Sequence, residues 1–509
     1  MKKRSRFTAL IGSAFFGSLL ATTPAVAQDD SIDAQIKALE AEVSKIEPLK
    51  DQIERLRSQQ IEMKKDATAA AAALPEFSYR PGRGMTITAA DKSWSFNTTS
   101  RINIYNYNII DGKPNFSNAA GAQVNTGATQ FELFPRRMRL YWTYCWDDCF
   151  ITTDVAIDGE TAERAASFRD NEIAWHFEQW NEFLPYFSVG LRRGAGRTHI
   201  GRSSDNDGKV EHSIIIDGFG WGGDGSHAGL GLGWDEVDLG PTKNQLFINL
   251  ATSRQGTYQE FVTDDRKGLM AFIGTQPFAN IKNKWIQGLD IGVGYQAHSQ
   301  NRMENMDGAP GVQEVRVRNA ERRGRFDLFR PDTGFDQNFG NGFSWVFIPG
   351  MKWQIGPYMF RAVWVKTQFE GKDDGLRGVR GMGWTIDHQV FLWSPKGFFT
   401  GSQTTPNSIM FSVGFERGEM ECGLGCDASP GAGAFHSNTV INREAALWYW
   451  LKPSFGIGTW AHWWTSANTP VNTQVGSGCK DNIAGALAGK GAGRKCDFYS
   501  FNSGVRFRW

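Results

Sequence analysis

The amino-acid sequence predicts an all-β fold, a 16-stranded antiparallel transmembrane β-barrel preceded by an N-terminal α-helical coiled coil. Three observations carry that expectation. The 509 residues include 58 glycines and 13% aromatics but only 40% hydrophobic residues, which is a β-protein composition. From Trp94 onward apolar residues recur at every second position. The connections between these segments are by turns short and long. A formal charge of +1 speaks against a nucleic-acid partner, which would demand a basic excess. The apolar share is too high for global disorder. Beyond the first 20 residues, no uncharged apolar run approaches the ~18 residues of a membrane-spanning helix.

Residues 1–27 have the form of a secretory signal. Lys2, Lys3, Arg4 and Arg6 precede an apolar stretch from Phe7 to Leu20, and Ala25-Val26-Ala27 supplies small residues at a cleavage site. A retained membrane anchor is the alternative. The six cysteines form sequence-adjacent pairs, Cys145 with Cys149, Cys422 with Cys426 and Cys479 with Cys496. In the oxidising compartment reached by a secreted chain, three local disulfides are expected. A zinc site is the alternative, but none of the eight scattered histidines stands beside these cysteines at ligand spacing. No metal and no cofactor is expected.

Residues 28–66 change character. Ile32, Ile36, Leu39, Val43 and Ile46 step by four and three, a heptad seam that resumes at Leu49, Ile53 and Leu56 and runs on to Gln60 and Met63. Pro48 should interrupt it. Isoleucine at both core positions leans towards three strands in a periplasmic coiled coil, with a charged single surface helix as the alternative. An Ala-rich linker, 67–93, should then lead into the barrel, 94–509.

Sixteen alternating segments are expected near 94–107, 129–146, 150–159, 168–179, 184–198, 227–237, 244–255, 269–278, 289–302, 342–354, 358–370, 378–394, 408–419, 437–452, 456–468 and 497–509. A soluble β-sandwich also alternates. Here, however, the apolar faces carry Trp, Tyr and Phe near segment ends, as a membrane girdle would, while the opposite faces carry Arg, Asp, Glu and Gly, as a wet lumen would. The last segment closes in Trp509. Short connections at one end and long ones at the other, with an even strand count, put both termini on the periplasmic side of an outer membrane.

That layout, together with Phe134-Pro135-Arg136-Arg137-Met138-Arg139-Leu140 and Leu184-Pro185-Tyr186-Phe187-Ser188-Val189-Gly190, resembles the phosphate-selective porin O/P family. The resemblance implies a homotrimeric, water-filled channel whose third and fifth extracellular loops, here 199–226 and 303–341, fold inward. The family's lysine-rich signature for anions is not visible in this sequence.

Charge arithmetic leaves the barrel body at net zero, so selectivity must come from local placement. Strand parity turns Arg101, Arg137, Arg139, Arg506 and Arg508 inward on strands that closure makes neighbours, and adds Arg192 and Arg361 elsewhere on the wall. Asp154, Asp158, Glu172 and Glu178 are the carboxylates that could simply pair with them. Loop 199–226 offers Asp205, Asp207, Glu211, Asp217 and Asp224 against Arg202 and Lys209, and folded inward it would set acids across from an arginine wall, a transverse field for polar solutes. An exposed surface loop is the alternative. Arg316, Arg318, Arg322, Arg323, Arg325 and Arg330 in loop 303–341 could attract anions or bind lipopolysaccharide phosphates. Gly229, Gly231 and Gly233 open no helix, Gly489-Lys490 lacks a full phosphate loop, and no Gly-x-Ser-x-Gly occurs, so an enzyme is not expected. The expected function is a porin for passive diffusion of small hydrophilic solutes, anions included. The rival is a structural outer-membrane protein that tethers the envelope to peptidoglycan or a partner through its coil. Expected partners are outer-membrane lipid and lipopolysaccharide.

Overall fold

The structure is a computed structural model. It describes residues 29–111, 116–117, 123–124, 132–158, 167–193, 213, 226–254, 268–283, 285–300, 303–304, 310–311, 317–318, 327–329, 342–369, 379–395, 406–422, 437–452, 454–467 and 495–509. The chain divides into two units, residues 1–74 and 75–509.

The first unit holds helix α1, Asp29–Ala73. Contrary to the expected interruption, the helix runs through Pro48. Proline costs a helix one N–H bond, roughly 3 kcal/mol, and a helix of 45 residues keeps its remaining ladder on both sides. The seam residues Ile36, Leu39, Val43, Ile53 and Leu56 are exposed on this single chain. The interval expected as a linker thus begins with the last turns of α1.

In the second unit sixteen strands form one antiparallel sheet: β1 Trp94–Tyr107, β2 Glu132–Trp146, β3 Ile151–Asp158, β4 Ser167–His176, β5 Tyr186–Arg193, β6 Ser226–Leu239, β7 Thr242–Arg254 and β8 Gly268–Gln276, followed by β9 Gly288–Gln300, β10 Gly342–Ile355, β11 Tyr358–Phe369, β12 Val379–Trp393, β13 Ser408–Cys422, β14 Ser437–Lys452, β15 Phe455–Ala467 and β16 Lys495–Arg508. Each strand pairs with the next, and β16 pairs back onto β1, from Ser503↔Asn106 to Arg508↔Arg101. The sheet is a closed barrel. Closure leaves no edge between these strands to recruit another chain. The strand ends joined by 147–150, 240–241, 356–357 and 453–454 lie at one end of the barrel, and those joined by 108–131, 194–225, 301–341 and 468–494 lie at the other.

One seam needed a device that periodicity did not reveal. Because β16 stops opposite Arg101, the first residues of β1 would present a bare edge. A hairpin, Glu76–Arg80 with Gly84–Thr88, covers it by pairing Met85–Thr88 with Ser95–Thr98. The expected linker 67–93 therefore contains a piece of sheet. Gly84 has φ +80°, and a Cβ there would stand 1.9 Å from the Thr98 carbonyl oxygen, so only glycine lets the hairpin approach. In the turn that follows, Asp91 accepts bonds from the Ser93 hydroxyl and backbone N–H, which hold its carboxyl below the usual carboxylate range.

Residues paired across the ladder share a face. The convex face is exposed and apolar: Leu140, Leu232, Leu250, Ile273, Leu447, Ile457 and Phe501. The concave face is buried and largely polar: Ser188, Asn249, Gln296, Ser412, Asn442 and Asn502.

Cys145 and Cys149 are disulfide-bonded across the 147–150 turn. Asp147, Asp148 and Cys149 all have positive φ, a left-handed stretch that L-residues avoid. The crosslink removes unfolded-state alternatives to this turn. Replacing both cysteines with serine is expected to cost about 2 kcal/mol, from loop-closure entropy for so short a ring, read as a lowered urea midpoint for the refolded barrel. The pairings expected for Cys422 with Cys426 and Cys479 with Cys496 lie outside the described side chains.

Candidate functional site

The inner wall is best read rung by rung. At the closure seam, Arg508 of β16 lies opposite Arg101 of β1, which lies opposite Arg139 of β2, itself opposite Asp158 of β3. On the adjacent inward rung, Arg506 faces Asn103, and Asn103 faces Arg137. Five arginines thus occupy two rungs of three neighbouring strands. Arg137, Arg139 and Arg506 are buried, while Arg101 and Arg508 are half-buried. Like charges this close repel, and part of the compensation is aromatic. The Arg506 guanidinium lies 4.0 Å above the Trp448 ring centroid, and its Nε donates to the Tyr105 hydroxyl at 3.0 Å. Arg101 lies 5.0 Å over the Tyr141 ring.

Beside the arginines is a patch the sequence reading did not anticipate. Trp448, Trp450, Trp460, Tyr105, Tyr107 and Met410 form a buried cluster on the concave face, where polar residues were expected. The correction has a local cause. One rung runs Met410, Trp448, Gly458, Gly504, Tyr105. The two glycines leave a trough, and the Trp448 ring lies in it so closely that a Cβ on Gly458 would stand 2.4 Å from the indole. Trp460 stacks on Trp448 at 6.0 Å and meets Tyr105 edge-on at 4.9 Å. Gly456-x-Gly458 beside Trp448-x-Trp450 was the available signal.

A second charged rung crosses β9 to β12: Asp290, Lys352, Arg361, Asp387. Arg361 binds Asp387 through Nη2 at 2.8 Å and Nε at 2.9 Å, and Lys352 lies 3.6 Å from Asp290. Arg361 therefore faces inward as a neutralised cation. Asp154 of β3 pairs in register with Glu172 of β4; Asp154 is exposed on the concave side and accepts a 2.6 Å bond from the Thr143 hydroxyl. Glu178 is not on a strand: it sits in a short 3-10 turn, Phe177–Gln179, where its carboxylate contacts His176 Nδ1 at 2.5 Å.

The side chains of Arg192 and Asp158 lie outside the described residues, though register places Arg192 opposite His227. Arg202, Asp205, Asp207, Lys209, Glu211, Asp217 and Asp224 also lie outside them. Within 199–225 the described residue is Ser213, which is buried. In 303–341 two small ladders are described, Met303–Glu304 with Pro310–Gly311 and Val317–Arg318 with Asp327–Phe329. Among the described residues no cluster of His, Cys, Asp or Glu could hold a metal ion.

No protein-family signature matches the sequence, and no curated protein is similar to it. Several solved structures have a similar layout. The outer-membrane channel DcaP of Acinetobacter baumannii is 10% identical, with a TM-score of 0.47 over 82% of this chain and 98% of that one. The anion-selective porin of Comamonas acidovorans is 9% identical, with a TM-score of 0.45 over 82% of this chain and 100% of that one. OmpT of Vibrio cholerae in its trimer form is 8% identical, with a TM-score of 0.47 and the same coverage. The fold assignment rests on the strand pairing above, not on these similarities.

Proposed function

We propose that this chain is an outer-membrane channel that lets small hydrophilic solutes, anions among them, diffuse passively. The observation that carries the reading is a closed sixteen-strand barrel with an exposed apolar convex face and charged side chains on its concave face. Such a surface is stable when lipid surrounds it and water reaches the inside. Anion preference would arise at the seam, where Arg101 and Arg508 are half-buried on one rung. Opposite-sign groups, Asp154 and Glu172, lie on the adjoining strands β3 and β4, so the charge changes sign along this wall. Narrowing by loop 199–226 and assembly as a homotrimer, with the resemblance to phosphate-selective porins, complete the proposal.

In planar bilayers with a KCl gradient, the purified protein is expected to give a reversal potential on the anion side. A strong cation preference would remove the arginine-controlled path.

A second reading is favoured by the exposed apolar seam of α1. Paired with other copies as a periplasmic coiled coil, the helix would tether the barrel to peptidoglycan or another envelope partner, and this role can coexist with conduction.

A further inference from the structure

Besides Arg380 on β12 and Arg417 on β13, the convex wall carries two cations set among aromatic rings, in places that lipid should disfavour. Lys366 on β11 is exposed on that face, in register with Phe347 and Met382. Arg443 on β14 is on the same face, in register with Phe415 and Trp463. Among the described residues neither makes an ion pair with a carboxylate. Both are set among rings instead. Lys366 Nζ lies 5.9 Å from the Trp345 ring, and the Arg443 guanidinium lies 4.2 Å over Trp463 and 5.6 Å from Phe415 while its Nη1 donates to Thr465 at 3.2 Å. Arg417, on β13 between them, differs: it is bonded to Glu419 on its own strand and is already compensated.

Lys366 borders a shallow, open groove on this face whose other lining residues are Tyr295, Phe343, Trp345, Phe347 and Trp364. The groove is aromatic everywhere except at its one ammonium group, so it suits an amphiphile with an apolar body and an anionic head.

Height fixes which amphiphile. Lys366 is eight residues from the tight-turn end of β11 at Tyr358, and Arg443 is nine from that of β14 at Lys452. At ~3.3 Å per residue and ~40° tilt, both stand about 20–23 Å up the membrane normal, near the far rim of an apolar band ~25 Å tall. They are three strands apart, and by register Lys366 comes level with Thr439 of β14, four residues from Arg443, so the two cations stand about 20 Å apart along the wall. Two uncompensated cations at the level of the long-loop interface complement phosphate, the anion that lipid headgroups place there. We propose that the convex face of β10–β15 is a binding site for a phosphorylated lipid of the outer leaflet. Its phosphates sit on Lys366 and Arg443, and an acyl chain lies in the aromatic groove. The proposal rests on the outer-membrane reading above.

The test uses the full mature chain in detergent micelles, with diphosphoryl lipid A and its dephosphorylated form as probes and bound lipid counted by native mass spectrometry. Wild type is expected to prefer the diphosphoryl form by about thirtyfold, the effect of two cations beside lipid phosphate. Lys366→Gln combined with Arg443→Gln should abolish the preference, and Arg417→Gln should keep it. Equal binding of the two lipids by wild type overturns the site without any variant. So does a double variant that keeps the preference, or one that instead loses oligomeric mass, which would make this face an interface between copies. Heat-modifiable gel mobility separates the failures: a barrel that does not persist in detergent sinks the membrane reading itself, whereas a stable barrel without lipid preference sinks only this site.

Discussion

Asp387→Ala is expected to destabilise the barrel by about 3–5 kcal/mol, the cost of breaking a buried ion pair by deleting one partner. The Asp387 carboxylate is 2% exposed and accepts two bonds from Arg361, which is 5% exposed. Removing it leaves a guanidinium in the wall with Lys352 in register beside it, so two cations would share a rung with Asp290 alone. The penalty belongs to the stranded charge rather than to the lost bond. Arg361→Met placed on Asp387→Ala should therefore recover most of the loss, since a well-packed apolar pair avoids the desolvation cost. Urea unfolding of the three variants in one detergent checks this. If the double variant is no more stable than Asp387→Ala alone, the loss comes from packing at Asp387 and not from charge.

The same rung shows what the sequence could and could not disclose. The sixteen strands were legible because each must present one face to the inside and one to the outside, and that demand writes a period of two into every segment. Strand ends were placed within a few residues because Gly, Asp and Pro mark the tight turns. Parity also placed Arg137, Arg139, Arg361 and Arg506 on the concave side. What parity does not supply is the polarity of each face. On β14, Glu444 points in and Arg443 points out, and Trp448 points in while Tyr449 points out. Both faces carry a charge and an aromatic, so composition alone cannot orient the strand. The missing information is lateral: Gly456 and Gly458 on β15 make room for inward indoles, and that fact resides in the register between strands. The hairpin at 76–88 escaped for a related reason. Five-residue strands carry too few alternations to stand out, and their purpose, covering the edge left where β16 ends, exists only once the sheet has closed.

Neutralising the half-buried arginines of the seam, Arg101→Gln with Arg508→Gln, is expected to lower the anion-to-cation permeability ratio about tenfold at low salt. A unit charge about 12 Å from a permeating ion in a water-like medium contributes roughly 0.35 kcal/mol, favourable for an anion and unfavourable for a cation, so two such charges shift the ratio by about one decade. Salt screens the effect, so the ratio should approach the wild-type value as ionic strength rises towards 1 M, where the screening length is ~3 Å. Glutamine is shorter than arginine but keeps an unbranched stem with a neutral polar end, and it leaves Arg506 stacked on Trp448, so the seam itself should hold. The choice of residues matters. Arg361 is neutralised by Asp387, and changing that pair would test stability more than selectivity. Arg101 and Arg508 face each other in register and retain exposure on the concave side. If the double variant conducts with an unchanged ratio at every salt concentration, the permeating ion does not pass this rung, and the selective element must be sought in the long-loop segments instead.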